Sequence, residues 1–419
     1  MVNRPVLAQV FRNPPAVIFA ATLSLASVLV AFLVVLGNVA AASPGLHTEE
    51  QALTADCDPT LSMRCASLRQ TERRKLFDHE TFGSNGRTCR TCHSKKTGTF
   101  SPQEARARLL ADPTDPLFLH DGLDNGQFGT GRITEHATVR IAISLPDDVT
   151  LADDPQRRTV VFNRGTPSTV NTPALDRLLM YDTREPTLQR QALNAIHGHA
   201  QATRAPSPLE LDLIKEFQQT DPRFFSSDVL ERFARGGPGP ELPAGTTAAE
   251  RRGRAMFDDV PFDGLTTRGI CNVCHAGPML NQFAAVNPIG PPGGRRADIG
   301  VSQRNLIGNP VYAFIVRNPD GTETLVNTPD PGVMLTTPLP SPPPGSGFPQ
   351  PPRAFFANVF KIPTLWAVAR TAPYFHDNSA KTLEEVAEHY AFYFRNGQLR
   401  FNFTPQDEID MVAFLRLLD

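Results

Sequence analysis

Cys89-Arg90-Thr91-Cys92-His93 is the stretch that decides how this chain is read. It is a Cys-x-x-Cys-His motif, the attachment signature of c-type haem. Two thiols add to the two vinyl groups of one porphyrin, and a separation of one helical turn brings both sulfurs to the same edge. His93 then lies under the iron and offers it a ring nitrogen. A second copy, Cys271-Asn272-Val273-Cys274-His275, makes this a chain for two covalently bound haem c groups. A zinc site built from the four thiolates is the competing reading, and it leaves His93 and His275 unexplained. Of the six cysteines, only Cys57 and Cys65 remain. They are close in sequence, and in an oxidising compartment they are expected to close a short disulfide loop.

Working outward, 419 residues suffice for two domains and a sizeable core. A net charge of -2 gives no electrostatic case for binding nucleic acid. The 39 prolines favour long ordered loops and short helices over a regular bundle. Arg4 and Arg12 precede an apolar run, Ala16 to Leu36, and Val39-Ala40-Ala41-Ala42-Ser43 supplies the small residues a signal peptidase needs. Residues 1–42 are read as a signal peptide, with an uncleaved membrane anchor as the alternative. Either places the bulk of the chain in the periplasm, where c-type haem is attached in bacteria.

Helix starts are marked by caps. Ser101-Pro102-Gln103-Glu104 and Ser207-Pro208-Leu209-Glu210 each carry a Ser cap, Pro at the first position and Glu at the third. Thr247 with Glu250, Thr382 with Glu385, and Thr404-Pro405 open three more. Arg69 to Phe77 reads as a helix leading into the first motif. Val139 to Leu145 and Thr159 to Phe162 read as short strands. A linker at 236–245, rich in Gly and Pro, falls between the two motifs. Pro329 to Pro352 reads as a long surface loop. Leu76-Phe77 and Met256-Phe257 each precede a Cys-x-x-Cys-His motif, which is a coarse internal repeat. The expected fold is mainly α: two tandem cytochrome c-like domains, 43–235 and 246–419, with long loops and a few short strands.

Phe360-Lys361-Ile362-Pro363-Thr364-Leu365, Thr371-Ala372-Pro373-Tyr374-Phe375-His376-Asp377 and Thr382-Leu383-Glu384-Glu385-Val386 resemble the C-terminal domain of the bacterial di-haem cytochrome c peroxidases. That family includes the methylamine-utilisation enzymes that form tryptophan tryptophylquinone. Pro167-Ser168-Thr169-Val170-Asn171, Tyr181-Asp182-Thr183-Arg184 and Leu188-Gln189-Arg190-Gln191-Ala192 are similar to segments of its first domain. The resemblance covers most of Arg69 to Asp419, except that 112–162 is longer than in the simplest members.

The resemblance implies a reactive haem on His93 and an electron-relaying haem on His275. It places Tyr390 where the peroxidases have a methionine ligand to the second iron, as in the tryptophylquinone-forming enzymes. Leu383, Val386, Ala387 and Tyr390 share one helical face, with His389 beside it. Tyr181 matches the tryptophan between the haems. Gln191 matches a distal-pocket glutamine. Gln201 stands where the peroxidases have an acid–base glutamate, and an amide cannot exchange protons near neutral pH. His197 and His199 lie just before it, and either could carry the proton instead. Gly165 replaces an asparagine ligand of a calcium held also by carbonyls matched by Thr371 and Pro373, which leaves calcium in doubt. The partners implied are hydrogen peroxide and a small electron donor such as a cytochrome c or a cupredoxin. A homodimer is left open. Two readings stand beside a peroxidase. One is an oxidase or oxygenase of the same fold acting on a protein side chain or organic substrate. The other is an electron carrier in which His120, His136, His197 or His199 closes the first iron.

Overall fold

The caps legible in the sequence decide where the helices begin. Ser101 Oγ accepts from the Glu104 N–H at 3.2 Å, and Ser207 and Glu210 form a reciprocal capping box, as do Thr404 and Asp407. Thr247 and Thr382 accept from the N–H groups of Glu250 and Glu385. Each bond satisfies a donor that a helix start leaves without an intrahelical partner. The structure is a computed structural model that describes residues 63–258, 271–285, 294–342, 349–396 and 402–419. The export segment, Cys57, the side chain of Cys65 and residues 343–348 of the proline-rich loop lie outside the described residues. No described helix is long and apolar enough to cross a membrane. The chain divides into two units, Met1–Cys65 and Ala66–Asp419, and the packing described here is that of the second.

Helix α1 (Met63–Asp78) runs into the one-turn helix α2 (Cys89–Cys92), followed by α3 (Pro102–Ala111), α4 (Leu188–Gly198) and α5 (Pro208–Thr220). Leu76 and Phe77 on α1 bury against Ala192 and Ile196 of α4 and Leu213, Ile214 and Phe217 of α5, with Cys89 packed on this cluster. The second motif repeats the arrangement with α6 (Ala248–Asp258), the one-turn α7 (Cys271–Cys274), α8 (Leu383–Asn396) and α9 (Pro405–Leu415). Met256 and Phe257 pack there with Val386, Ala387, Met411 and Phe414, and Cys271 lies against them. Gly253 lets α6 approach α9 closely: a Cβ at this position would sit 2.0 Å from the Asp410 carbonyl oxygen.

Two of the expected strands form. β1 (Thr138–Ser144) pairs antiparallel with β3 (Thr159–Gly165), Ile141 opposite Phe162. Short β2 (Val149–Leu151) instead joins β5 (Tyr312–Arg317) and β6 (Glu323–Thr328) in a three-stranded sheet, and β4 (Arg296–Ala297) pairs with β7 (Phe360–Lys361). Val149 opposes Val316, so segments on either side of the 236–245 linker share one sheet and one buried cluster. The β5–β6 hairpin was not foreseen. Its signal is Asn318-Pro319-Asp320-Gly321, with Gly321 at φ +84°, flanked by an alternating β-branched and aromatic run.

Arg164, near the end of β3, is the largest fully buried side chain, and its guanidinium donates to both Asp182 and Asp330. Burial pushes the Asp182 carboxyl upward, but Arg164 and Arg184 together hold it below the usual carboxylate range. Its contribution to stability is therefore present above about pH 4 and is lost as pH falls through the depressed value. Arg164→Met leaves buried carboxylates without their counter-charge and is expected to cost about 3–5 kcal/mol in a denaturant melt. A loss below about 1 kcal/mol would mean that these groups are solvated.

Candidate haem sites

Both motifs are built in the same way. The Thr88 N–H donates to Thr91 Oγ1 at 3.0 Å and starts the first turn, and the His93 N–H returns to the Cys89 carbonyl at 3.1 Å. The His275 N–H closes the second turn on the Cys271 carbonyl at 2.8 Å. In each site the histidine Nδ1 lies 2.7 Å from a carbonyl five residues on, Gly98 for His93 and Leu280 for His275. That bond assigns the proton to Nδ1 and leaves Nε2 as the metal-binding nitrogen. Burial lowers both rings to about 4, so they are neutral, as ligands must be. None of Cys89, Cys92, Cys271 and Cys274 is in a disulfide. Burial pushes the Cys89 thiol up to about 12 and Cys274 to about 11, so these thiols keep the protons that addition to a vinyl group requires. Among the described residues no cluster of three or more His, Cys, Asp or Glu converges as a metal site. The donor set fits two covalently attached haems.

A cavity of about 550 Å³ adjoins the first turn, a size suited to a cofactor. Cys89, Cys92, His93, Tyr181, Gln191 and His199 all line it. His197 points away into solvent, and Gln201 is an exposed residue whose amide lies 3.1 Å from the His120 ring, beside the cavity lining. Of the two candidate proton carriers, only His199 lines the cavity. Its Nδ1 is 2.5 Å from Asp121 Oδ2, which fixes the tautomer with Nε2 as the second nitrogen. Asp121 is buried and ion-paired to Arg87. Burial, reinforced by Arg87 and Arg184, lowers the His199 ring to about 4, so it is a neutral base at pH 7.

Asp121 and Arg87 escaped the sequence reading. Asp121 lies in 112–162, where no segment could be matched. The available signal was Arg87 itself, a lone arginine two residues before Cys89. Tyr181 is also held: its carbonyl accepts from the Lys361 N–H at 2.7 Å, and burial raises its phenol above the usual range.

At the second site, the neighbour of Tyr390 is ruled out by its bonds. His389 Nε2 donates to the Ile299 carbonyl at 2.8 Å, and Nδ1 lies 3.2 Å from Arg304 Nη1. Both ring nitrogens are engaged. Burial, and then Cys274 and Cys271, raise the Tyr390 phenol, and Tyr390 and Cys271 pack against the same buried cluster. Its ring packs on Phe394 at 5.9 Å, and no hydrogen bond to its hydroxyl occurs among the described residues. Gly165, which stands where the resemblance has a calcium-ligating asparagine, donates its N–H to the His376 carbonyl, and a side chain there would collide with Asn378 Oδ1. The buried cation close by in sequence is Arg164.

No family model matches the chain. A stretch of 63 residues is 43% identical to cytochrome c551 peroxidase from Nitrosomonas europaea, covering 15% of this chain and 17% of that protein. The chain thus spans about a sixth of that curated relative's length. In its motifs and in this stretch the chain is similar to the di-haem peroxidases. Among solved structures, a MauG-like protein associated with microbial copper homeostasis aligns at 20% identity over 87% of this chain and 91% of its own, with a TM-score of 0.46. The di-haem peroxidase BthA from Burkholderia thailandensis aligns at 15% identity over 87% and 86%, with a TM-score of 0.45.

Tyr390→Phe keeps the ring packing and removes the oxygen. The ferric spectrum and potential of the second haem should change while those of the first do not. An unchanged second spectrum removes Tyr390 as a ligand.

Proposed function

We propose that the protein is an exported di-haem c-type oxidoreductase that reduces hydrogen peroxide at the His93 site, with the His275 site as its electron relay. The observation that carries this is an asymmetry. The two histidines are prepared identically, yet one faces a cavity containing a neutral imidazole and the other lies in a site with a buried phenol. When bound, the haem groups supply redox-active iron and the path for two electrons, which with two protons convert one peroxide to two waters.

In this proposal the side chains have separate tasks. His199 Nε2 accepts the proton of incoming peroxide and returns it to the departing oxygen. Asp121 holds the ring in the required tautomer and stabilises the imidazolium as it forms, while Arg87, paired with Asp121, holds its carboxylate in place. The Gln191 amide orients the oxygens by hydrogen bonding. Tyr181, which matches the residue between the haems in the resemblance, would pass charge only if its phenolic proton leaves, so burial would make it a gated bridge. Gln201 and His120 form the rim. Lacking a carboxylate at position 201, the cavity relies on His199 for the work of an acid–base pair.

A second reading is favoured by Tyr390. An anionic oxygen ligand stabilises ferric or higher states more than a thioether does. The oxidising equivalents would then be directed at a protein side chain or an organic substrate. For either reading the chain acts in the periplasm, soluble or tethered by its N-terminal segment.

Peroxide titration of the ferric holoprotein, followed by optical and EPR spectra, tests the proposal. An open first site should react stoichiometrically. Two low-spin haems that ignore peroxide would leave only an electron carrier. His199→Gln should slow the peroxide step by about 10²-fold or more in stopped flow. Because His199 is held at about 4, the wild-type rate should be flat around neutrality and fall only as the pH approaches that value. A profile breaking near pH 6.5 would instead indicate an unperturbed histidine.

A further inference from the structure

In the resemblance a calcium ion is held by an asparagine side chain and by main-chain carbonyls, and Gly165 stands at the asparagine's position. Here that volume is filled by protein. A Cβ built on Gly165 would lie 2.1 Å from Asn378 Oδ1 and 2.8 Å from Asn378 Nδ2. The Asn378 side chain therefore takes the space of a side chain at 165, and it comes from the far side of the 236–245 linker. Asn378 is 1% exposed, and its amide nitrogen donates to the carbonyls of Ala137 at 2.8 Å and His136 at 3.1 Å. These two carbonyl partners assign the nitrogen end of the amide and use both of its donors. Calcium is held by roughly six to eight oxygens. Two carbonyls that face this volume are instead taken by N–H groups.

The surrounding bonds follow the same pattern. The Gly165 N–H donates to the His376 carbonyl at 2.8 Å, so the 376–378 segment is tied both to β3 and to the residues that enter β1. Arg164, the neighbour of Gly165, pairs with Asp182 at 2.5 Å and Asp330 at 2.6 Å, one carboxylate from each side of the linker. The positive charge that joins these buried carboxylates is thus a guanidinium. Pro373, which matches one of the carbonyl ligands, shares a cleft lining with the cations Arg370 and Lys381. Among the described residues no three His, Cys, Asp or Glu side chains converge as a metal site. The donor set does not fit calcium.

We propose that the Asn378 amide and the Arg164 guanidinium replace the calcium ion in this chain, and that its two halves are joined at this point by protein hydrogen bonds alone. The first haem site then needs no calcium. The latch bears on that site because β1, from Val139 to Ser144, lines the cavity beside Cys89 and His93. A bound ion stabilises a fold only in proportion to its concentration over its dissociation constant, whereas buried side chains are always present. The proposal holds whether or not the chain reduces peroxide.

The test follows thermal melting and ferric spectra of the holoprotein in EGTA and in excess calcium chloride, with calcium binding measured by titration calorimetry. The wild type should bind no stoichiometric calcium and should melt at the same temperature in both. A midpoint that falls in EGTA and recovers with calcium overturns the proposal. So does a change in the first haem's ferric spectrum on chelation. The double variant Gly165→Asn, Asn378→Gly empties the volume and returns a side-chain oxygen to position 165. Asn378 has φ +57°, which glycine adopts freely. In EGTA this variant should melt about 2–4 °C or more below the wild type, and calcium should restore the loss by binding the native state. A double variant that neither loses stability in EGTA nor binds calcium shows that the amide does not stand in for the ion, and the proposal is wrong. Where the double variant does not fold, Asn378→Asp keeps the shape and turns an oxygen instead of an NH2 towards the two carbonyls. Its midpoint in EGTA should also fall, and an unchanged midpoint overturns the proposal.

Discussion

The Arg87 guanidinium holds together the side of the molecule that carries the cavity beside the first Cys-x-x-Cys-His turn. It is 3% exposed and stands two residues before the first haem cysteine. Its nitrogens donate to the carbonyls of Pro116, Leu117, Leu119 and His199 and to the Asp121 carboxylate. A buried guanidinium is tolerated only when its donors are paired, because an unpaired charge in the interior carries a desolvation cost of several kcal/mol. Meeting that demand pins the 116–122 segment and the end of α4 to the haem turn. The position and tautomer of His199 follow from it. A charge requirement, rather than hydrophobic packing alone, thereby shapes the cavity.

The two haem turns show how one local motif can serve two purposes. Both close the histidine N–H on the first cysteine carbonyl and hold Nδ1 on a carbonyl five residues on, so the two histidines are set in the same way. The difference lies in what other segments bring to them. At the first site α4 and the 116–122 segment leave a cavity. At the second, α8 presents Tyr390 while Ile299 and Arg304 engage both nitrogens of His389. A single residue step along α8 thus separates a structural imidazole from a candidate oxygen ligand.

Much of the fold was legible because its determinants are local. The Ser and Thr caps, the aromatic pairs before each motif and the alternation in β1 and β3 act over a few residues. The joining of β2 to β5 was not legible, since Val149 and Val316 have no local signal linking them. The ion pairs of Arg164 with Asp182 and Asp330 are equally long-range. Gln201 occupies the position of an acid–base residue in the resemblance, and its amide turns to His120, which lines the cavity.

The sequence by itself determined the two haem turns. A Cys-x-x-Cys-His run fixes sulfur spacing and the identity of the proximal ligand within five residues, and the nearby carbonyl that binds Nδ1 is supplied by the same loop. Only the tertiary structure decided which histidine faces the cavity. His197 and His199 are two residues apart and alike in chemistry. Their difference comes from Asp121 and Arg87, which reach the site from far along the chain because a buried guanidinium needs partners that no local stretch can provide.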